Sequence, residues 1–339
     1  MIYFSFYPNY KNNLNVNGNA VLTEKITKKF FNKKKDVIVN TTSSNMFLTK
    51  LRKFFSYFIV IYHIIFKRQK NLYTVLLDHH GFYFHTLFFF IFQYLLDSVV
   101  IYHHSFRYIN KKYYLLNLLK NKKFIHIATS QKQLLKLKKF YGIKKIYLIE
   151  NNFILLGKKK KLIKMKNKLN IIYFSALIKS KGIYDYIKIA KKFYNHKNLK
   201  FSIYGNHCSP ELYKKLSNLM NENIISEFKI NIHGAAKTLM YQKTDVLLFP
   251  SKHPPETTPL VIDECIDNLI IPISYNIGDV KQMIGTTNLI CENLKKMEEK
   301  LLYVAKNIFS YKKRIYLLKQ QKIDKSFKYS CLLSELLSN

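Results

Sequence analysis

Two glutamates stand eight residues apart in Lys252-His-Pro-Pro-Glu256-Thr-Thr-Pro-Leu-Val-Ile-Asp-Glu264. A strand-forming run, Asp245-Val-Leu-Leu-Phe-Pro-Ser251, leads into them. Thr257 or Thr258 suits a helix N-cap and Pro259 a first helical turn, so the spacing predicts a loop-to-helix junction there. Glu256 then sits in the loop, and Glu264 about six residues into the helix, roughly 9 Å along its axis. Between the two carboxylates lies a helix N-terminus, where backbone N–H groups and the dipole favour an anion. Carboxylates accept hydroxyl hydrogen bonds. The arrangement suits a molecule with hydroxyls at both ends and phosphate in the middle, which describes a nucleotide sugar.

Such a site needs a scaffold, and the hydrophobic pattern supplies one. Continuous apolar runs at Ile2–Tyr7, Asp36–Thr41, Tyr73–Asp78, Ser98–His103, Phe124–Thr129 and Ile146–Asn151 read as strands separated by helices. The pattern restarts at Asn170–Ala176, Lys200–Gly205, Ile230–Gly234, Asp245–Ser251, Ile270–Tyr275 and Asn288–Glu292. Apolar strands alternating with helices indicate parallel sheets covered on both faces. The fold class expected is therefore α/β, with two doubly wound Rossmann-like domains facing across a cleft. Residues 1–157 form the first domain and 158–169, rich in lysine, a linker. Residues 170–310 form the second, and 311–339 a helical tail packing back towards the first. Ligands of such sheets bind beyond the strands' carboxyl ends.

Composition narrows the partners. The 339 residues carry 57 basic and 20 acidic side chains, a net charge of +37. Only Arg52, Arg68, Arg107 and Arg314 are arginine, so 57 − 4 = 53 are lysine. Dispersed lysine lacks the planar fork that reads bases, and no recognition motif is present, so nucleic acid is not the expected partner. Anionic lipid head groups or polyphosphates suit the charge. The four cysteines form no CxxC pair, which argues against a disulfide framework or structural zinc. No secretory segment is evident at the start. Two apolar runs, Phe54–Phe66 between basic flanks and Thr86–Leu96, fall short of a membrane span and read as buried helices or as helices lying in a membrane interface.

The stretch Pro250, Ser251, Glu256, Pro259, Val261 and Glu264 resembles the E-x7-E motif of retaining glycosyltransferase family 4, within the glycosyltransferase-B fold. Tyr173-Phe-Ser-Ala-Leu-Ile-Lys-Ser-Lys181-Gly182 resembles that family's strand followed by "KG". Tyr275-Asn-Ile-Gly278-Asp-Val-Lys-Gln-Met-Ile resembles its "x-x-G-G-x-x-E-x-I" segment, and Lys200–Gly205 and Ile232-His-Gly234 its intervening glycine-ended strands. The resemblance spans about 170–285. It implies that Glu256 binds the transferred sugar, that Glu264 binds the ribose, and that Lys181 neutralises the pyrophosphate. Gly182, Gly205 and Thr258 are implied on the donor side. In the first half the match is looser. Asn17-Gly18 follows the first strand where the family has a glycine-rich turn. His103, with His104 second, ends a strand whose histidine faces the donor sugar in the family. His79 and His80 are candidates for the acceptor side.

The resemblance implies front-face transfer with retention, from a UDP- or GDP-linked donor that is substrate rather than cofactor, to a saccharide or lipid-linked saccharide. It implies no metal, in keeping with the lack of an Asp-x-Asp motif. The setting implied is bacterial surface polysaccharide assembly, in the cytoplasm and peripherally on the inner face of an anionic membrane. Three departures stand out. Ala176 occupies a position where the family often has arginine, Pro259 replaces a glycine, and the segment from Glu264 to Pro272 lacks the family's glycine. A nucleotide-sugar epimerase of the same fold and a non-catalytic glycosyltransferase-like partner protein are the alternatives.

Overall fold

The computed structural model describes all residues except 6, 8–17, 42–45, 77–79, 155–167, 286 and 339. The chain divides into two compact units, Met1–Ile154 with Lys325–Asn339, and Leu155–Asp324.

The first unit alternates strand and helix: β1 (Ile2–Ser5), α1 (Gly18–Phe30), β2 (Val37–Asn40), α2 (Met46–Ile65), β3 (Asn71–Val75), α3 (His80–Phe92), β4 (Ser98–Tyr102), α4 (Arg107–Asn110), β5 (Phe124–Ala128), α5 (Gln131–Tyr141) and β6 (Ile146–Leu148). Its described strands pair in the order β2-β1-β3-β4-β5-β6, all parallel. β4 and β5 are buried along their whole length, as strands covered on both faces must be. Ser130 caps α5 by accepting from the Gln133 N–H, and Gly142 ends that helix in the left-handed region.

The second unit continues with β7 (Leu169–Ala176), α6 (Ile183–Phe193), β8 (Leu199–Asn206), α7 (Pro210–Asn221), β9 (Glu227–Ile230), α8 (Gly234–Lys243), β10 (Val246–Phe249), α9 (Leu260–Asp267), β11 (Ile271–Tyr275), α10 (Val280–Ile284), β12 (Ile290–Cys291), α11 (Leu294–Lys306) and α12 (Ile308–Ser338). The strand order is β12-β11-β10-β7-β8-β9, again all parallel. Both sheets are thus doubly wound, and the α/β expectation holds in each unit. One strand moved: Ile230–Gly234 was the expected position, but β9 ends at Ile230 because Asn231 takes φ +56 and breaks the extended run.

The helical tail begins at residue 308 as one helix, and only Lys325–Asn339 groups with the first unit. The earlier part of α12 is docked on the second unit by buried pairs, Lys319 with Asp267 at 2.9 Å and Lys322 with Asp263 at 3.0 Å. The lysine stems can lie along apolar surface while their ammonium groups reach carboxylates.

Candidate active site

In the second unit the chain reverses its winding between β7 and β10, which lie side by side. Chains leaving two adjacent strands in opposite directions open a crevice at the carboxyl ends, where ligands of such sheets bind. The loop after β7 carries Lys181 and Gly182; the loop after β10 carries Glu256.

The structure joins these two loops. Gly182 holds φ +82, and any Cβ there would collide with the carbonyl of Pro250 at the end of β10. Only glycine allows both the conformation and the approach. The Lys252 N–H donates to the Ser180 carbonyl at 2.8 Å, and Ser180 Oγ lies 3.1 Å from His253 Nδ1. From below, the Tyr173 hydroxyl donates to the carbonyls of Ala176 at 2.7 Å and Lys181 at 3.3 Å. So held, the Lys181 ammonium forms an ion pair with Glu256 Oε2. Their side chains are only 17% and 13% exposed, so the pair is shielded without being sealed.

A second cluster surrounds Glu264. Lys237 Nζ donates to Oε1 at 2.7 Å and the Tyr241 hydroxyl to Oε2 at 2.7 Å. Both donors come from α8, four residues apart and therefore on one helical face. Lys237 also lies 5.3 Å from the Phe174 ring centroid on β7. Burial, then the Glu264 charge, pushes the Tyr241 phenol well above its ordinary pKa, so it remains a donor. Sequence reasoning missed Lys237 and Tyr241. The signal was their i,i+4 spacing after Gly234.

Gly278 closes the far side. At φ +55 it lies against the backbone carbonyls of Glu256 and Thr257, and the Asp279 N–H donates to the Thr257 carbonyl at 2.9 Å. Thr257 and Thr258 are buried there. Neither caps the helix: α9 starts at Leu260 with Pro259 as its N-cap, one residue later than expected, so Glu264 is its fifth residue. Gly205 makes room for the protein itself, since a Cβ would strike the Ser175 carbonyl and the Leu177 side chain.

In the first unit His103 follows directly on the last residue of β4. It is fully buried, and both ring nitrogens are engaged: Nδ1 with the Tyr108 hydroxyl at 2.8 Å, Nε2 with His126 Nδ1 at 2.9 Å. His126 Nε2 faces the Leu119 carbonyl at 2.6 Å. A carbonyl only accepts, so His126 carries its proton on Nε2, His103 on Nε2, and Tyr108 donates to His103 Nδ1. The chain of hydrogen bonds is complete from Tyr108 to the Leu119 carbonyl. His104 is also buried, its ring 5.4 Å from that of Tyr102, and burial drops its pKa to about 3. Gly18 is the first residue of α1, and the turn before it lies outside the described residues. His79 also lies outside them, and His80 begins α3. Among the described residues no group of three His, Cys, Asp or Glu could hold a metal ion.

Two parallel six-stranded, doubly wound units define a Rossmann-type α/β protein of the glycosyltransferase-B fold. The family model "Glycosyl transferases group 1" matches residues 157–326, half of the chain, and the chain belongs to that family. Among solved structures, HepE from Anabaena in complex with UDP-glucose is similar with a TM-score of 0.71 at 10% identity, covering 100% of this chain and 99% of HepE. A glycosyltransferase from Rickettsia africae gives 0.66 at 16% identity, with 100% and 99% covered. TarM, known from S. aureus, gives 0.65 at 14% identity, covering 84% of this chain and 58% of TarM, so the chain spans less than two thirds of TarM's length. At these identities the likeness is one of fold. No curated protein matches the chain.

Proposed function

We propose that this group 1 glycosyltransferase is a retaining, family 4 type enzyme that works without a bound metal. It transfers a hexose or N-acetylhexosamine from a UDP- or GDP-linked donor to a saccharide or lipid-linked saccharide. Its setting is bacterial surface polysaccharide assembly at the inner face of the cytoplasmic membrane, with the nucleotide sugar as substrate and no cofactor.

The observation that carries the reading is the pairing of each E-x7-E glutamate with a lysine at the carboxyl edge of the second sheet. Two carboxylates held by two ammonium groups form a site that can exchange partners. A donor pyrophosphate draws Lys181 off Glu256, which stabilises the negative charge developing on the leaving group. The released Glu256 carboxylate then accepts hydroxyls of the transferred sugar. Glu264, kept in place by Lys237 and Tyr241, retains lone pairs for the ribose hydroxyls, since a carboxylate offers about four acceptor positions. With Ala176 in place of the family's arginine, Lys181 bears more of the phosphate charge. HepE and the pneumococcal O-GlcNAc transferase GtfA were solved with UDP ligands, which supports a UDP donor here.

The test is a thermal-shift panel with UDP, GDP, ADP, CMP and their sugars on wild type and Glu264→Ala. A nucleotide at roughly 100 times its Kd adds about 2.7 kcal/mol. The expected result is a shift with one nucleotide, lost in the variant, followed by a product whose anomeric configuration matches the donor's by NMR. No shift from folded protein overturns the donor assignment, and an inverted product overturns retention.

A further inference from the structure

We infer that the outer face of α2 and α3 in the first unit is a docking surface for an anionic lipid bilayer. This gives the lipid-linked acceptor of the preceding reading a physical partner, and it rests on that reading for its setting alone.

The two helices break the rule that a surface helix turns a polar face to solvent. α2 buries Ser56, Val60 and Ile64, spaced four apart, against the sheet. Its opposite face presents Phe54, Phe58, Ile59 and Tyr62, continued by Phe66 just beyond its end. α3 buries Phe82, His85 and Phe89 and presents Phe84, Leu87 and Ile91, continued by Tyr94 just beyond its end. Phe84 is 71% exposed and Tyr94 82%. The helices share a seam: the Tyr57 hydroxyl is 3.1 Å from His85 Nδ1, and the Tyr57 and Phe88 rings are 4.8 Å apart. The exposed rows on either side of that seam therefore belong to one surface. Contiguous apolar area of this kind marks an interaction site.

The rest of the sequence shows that the lack of charge is local. Charged residues make up 23% of the chain, yet 54–66 and 80–96 contain no Asp, Glu, Lys or Arg. Around the first stretch charge returns with one sign: Arg52 and Lys53 before it, Lys67, Arg68 and Lys70 after it, while the second stretch ends at Asp97. An apolar surface with five cations at the two ends of its first stretch complements an anionic leaflet, with side chains entering the acyl boundary and ammonium and guanidinium groups meeting head groups. Tyr62, Tyr83 and Tyr94 add amphipathic rings of the kind that sit at head-group level. Among the described residues no helix is long and apolar enough to cross a membrane, so the surface seats in the interface. A second copy of the chain is the poorer occupant, because it would bring together two chains that each carry a net charge of +37.

The experiment is flotation of the full chain with phosphatidylcholine vesicles, with and without phosphatidylglycerol, at low and high salt. Wild type and the triple variant Phe58→Gln, Phe84→Gln, Ile91→Gln are compared. All three side chains are exposed, so the fold does not depend on them. Wild type should float with the phosphatidylglycerol vesicles and release as salt rises. Each fully inserted apolar side chain is worth about tenfold in affinity or more, so the triple variant should lose at least about that. The UDP thermal shift, read on the same samples, should be unchanged in the variant. Wild type that responds to UDP but ignores the vesicles overturns the docking surface and leaves the donor reading standing. Equal flotation of the variant also overturns it, as does a dimer abolished by the variant in place of vesicle binding. Flotation without any nucleotide response sustains the docking surface and overturns the donor reading.

Discussion

Lowering the pH should unfold the first unit before the second. Four histidines of the first unit, His85, His103, His104 and His126, are buried and neutral. Burial is the main cause in each, and it drops His85 and His104 to about 3 and His126 to about 4. His103, pressed further by neighbouring His126 and His104, lies well below the ordinary value. Hydrogen bonds lock the neutral forms of three of them. The Thr74 hydroxyl donates to the Phe4 carbonyl at 2.8 Å, so His85 Nε2 must donate to Thr74 Oγ1, 2.7 Å away, and Tyr57 donates to Nδ1. In the His103–His126 pair, a proton added to His126 Nδ1 would face the N–H of His103.

The sign follows from where each state binds its protons. Unfolded histidine titrates near pH 6.5, while folded His85, His104 and His126 titrate near 3 to 4 and His103 is shifted in the same direction. Between those limits the unfolded chain holds more protons, so stability is complete above pH 6.5 and falls as the pH drops through that window. At pH 5 each of those three costs about 2 kcal/mol, roughly 6 kcal/mol together, and His103 acts in the same direction. That equals much of the 5–15 kcal/mol that typically holds a domain. Amide exchange read by mass spectrometry, corrected for the intrinsic pH dependence of exchange, separates the units. Protection in β4 and β5 should collapse between about pH 6 and 5 while β7, β8 and β10 stay protected. Full protection of β4 and β5 at pH 5, or loss in both units at one pH, would refute the reasoning.

The donor crevice carries three further predictions. Glu256→Gln removes the charge that meets Lys181 and should cut turnover at least about a hundredfold while UDP still shifts the melting temperature, as steady-state kinetics and thermal shift together will report. Tyr241→Phe takes one donor from Glu264 without changing the fold, and should raise the donor KM about tenfold with kcat nearly kept, because a hydrogen bond to a charged group is worth about 1.5–3 kcal/mol. Gly182→Ala combines a φ of +82 with a collision at the Pro250 carbonyl, and should destabilise the second unit by about 3 kcal/mol or more. Its urea midpoint measures that, and an unchanged midpoint would mean that the two loops can separate freely.

Continuous apolar strands announce themselves because a strand buried on both faces has no polar positions to confuse the pattern. Hence β4, β5, β10 and β11 were legible to within a residue or two. β9 was not, since it is an edge strand whose burial is partial along Glu227-Phe-Lys-Ile, while the apolar-looking Ile230-Asn-Ile that follows turns away at Asn231. The glutamate pair was legible because its spacing is local, and eight residues across a loop and a helix leave little freedom. The partners of those glutamates were only half legible. Lys181 reaches Glu256 across 75 residues because β7 and β10 are neighbours, a consequence of strand order that no local pattern carries. The partners of His103 were hidden for the same reason: β5 sets His126 beside it, 23 residues on, and both its ring nitrogens are engaged. The two apolar runs were ambiguous in a different way. Length alone excluded a span, and composition alone could not tell a buried helix from an interfacial one. The outcome rests on the side chains that face outward from α2 and α3, which depends on how each helix is rotated against the sheet. Rotation is fixed by the inward residues Val60, Ile64, Phe82 and Phe89, and once they dock, the phenylalanines opposite them have only solvent or a partner to meet.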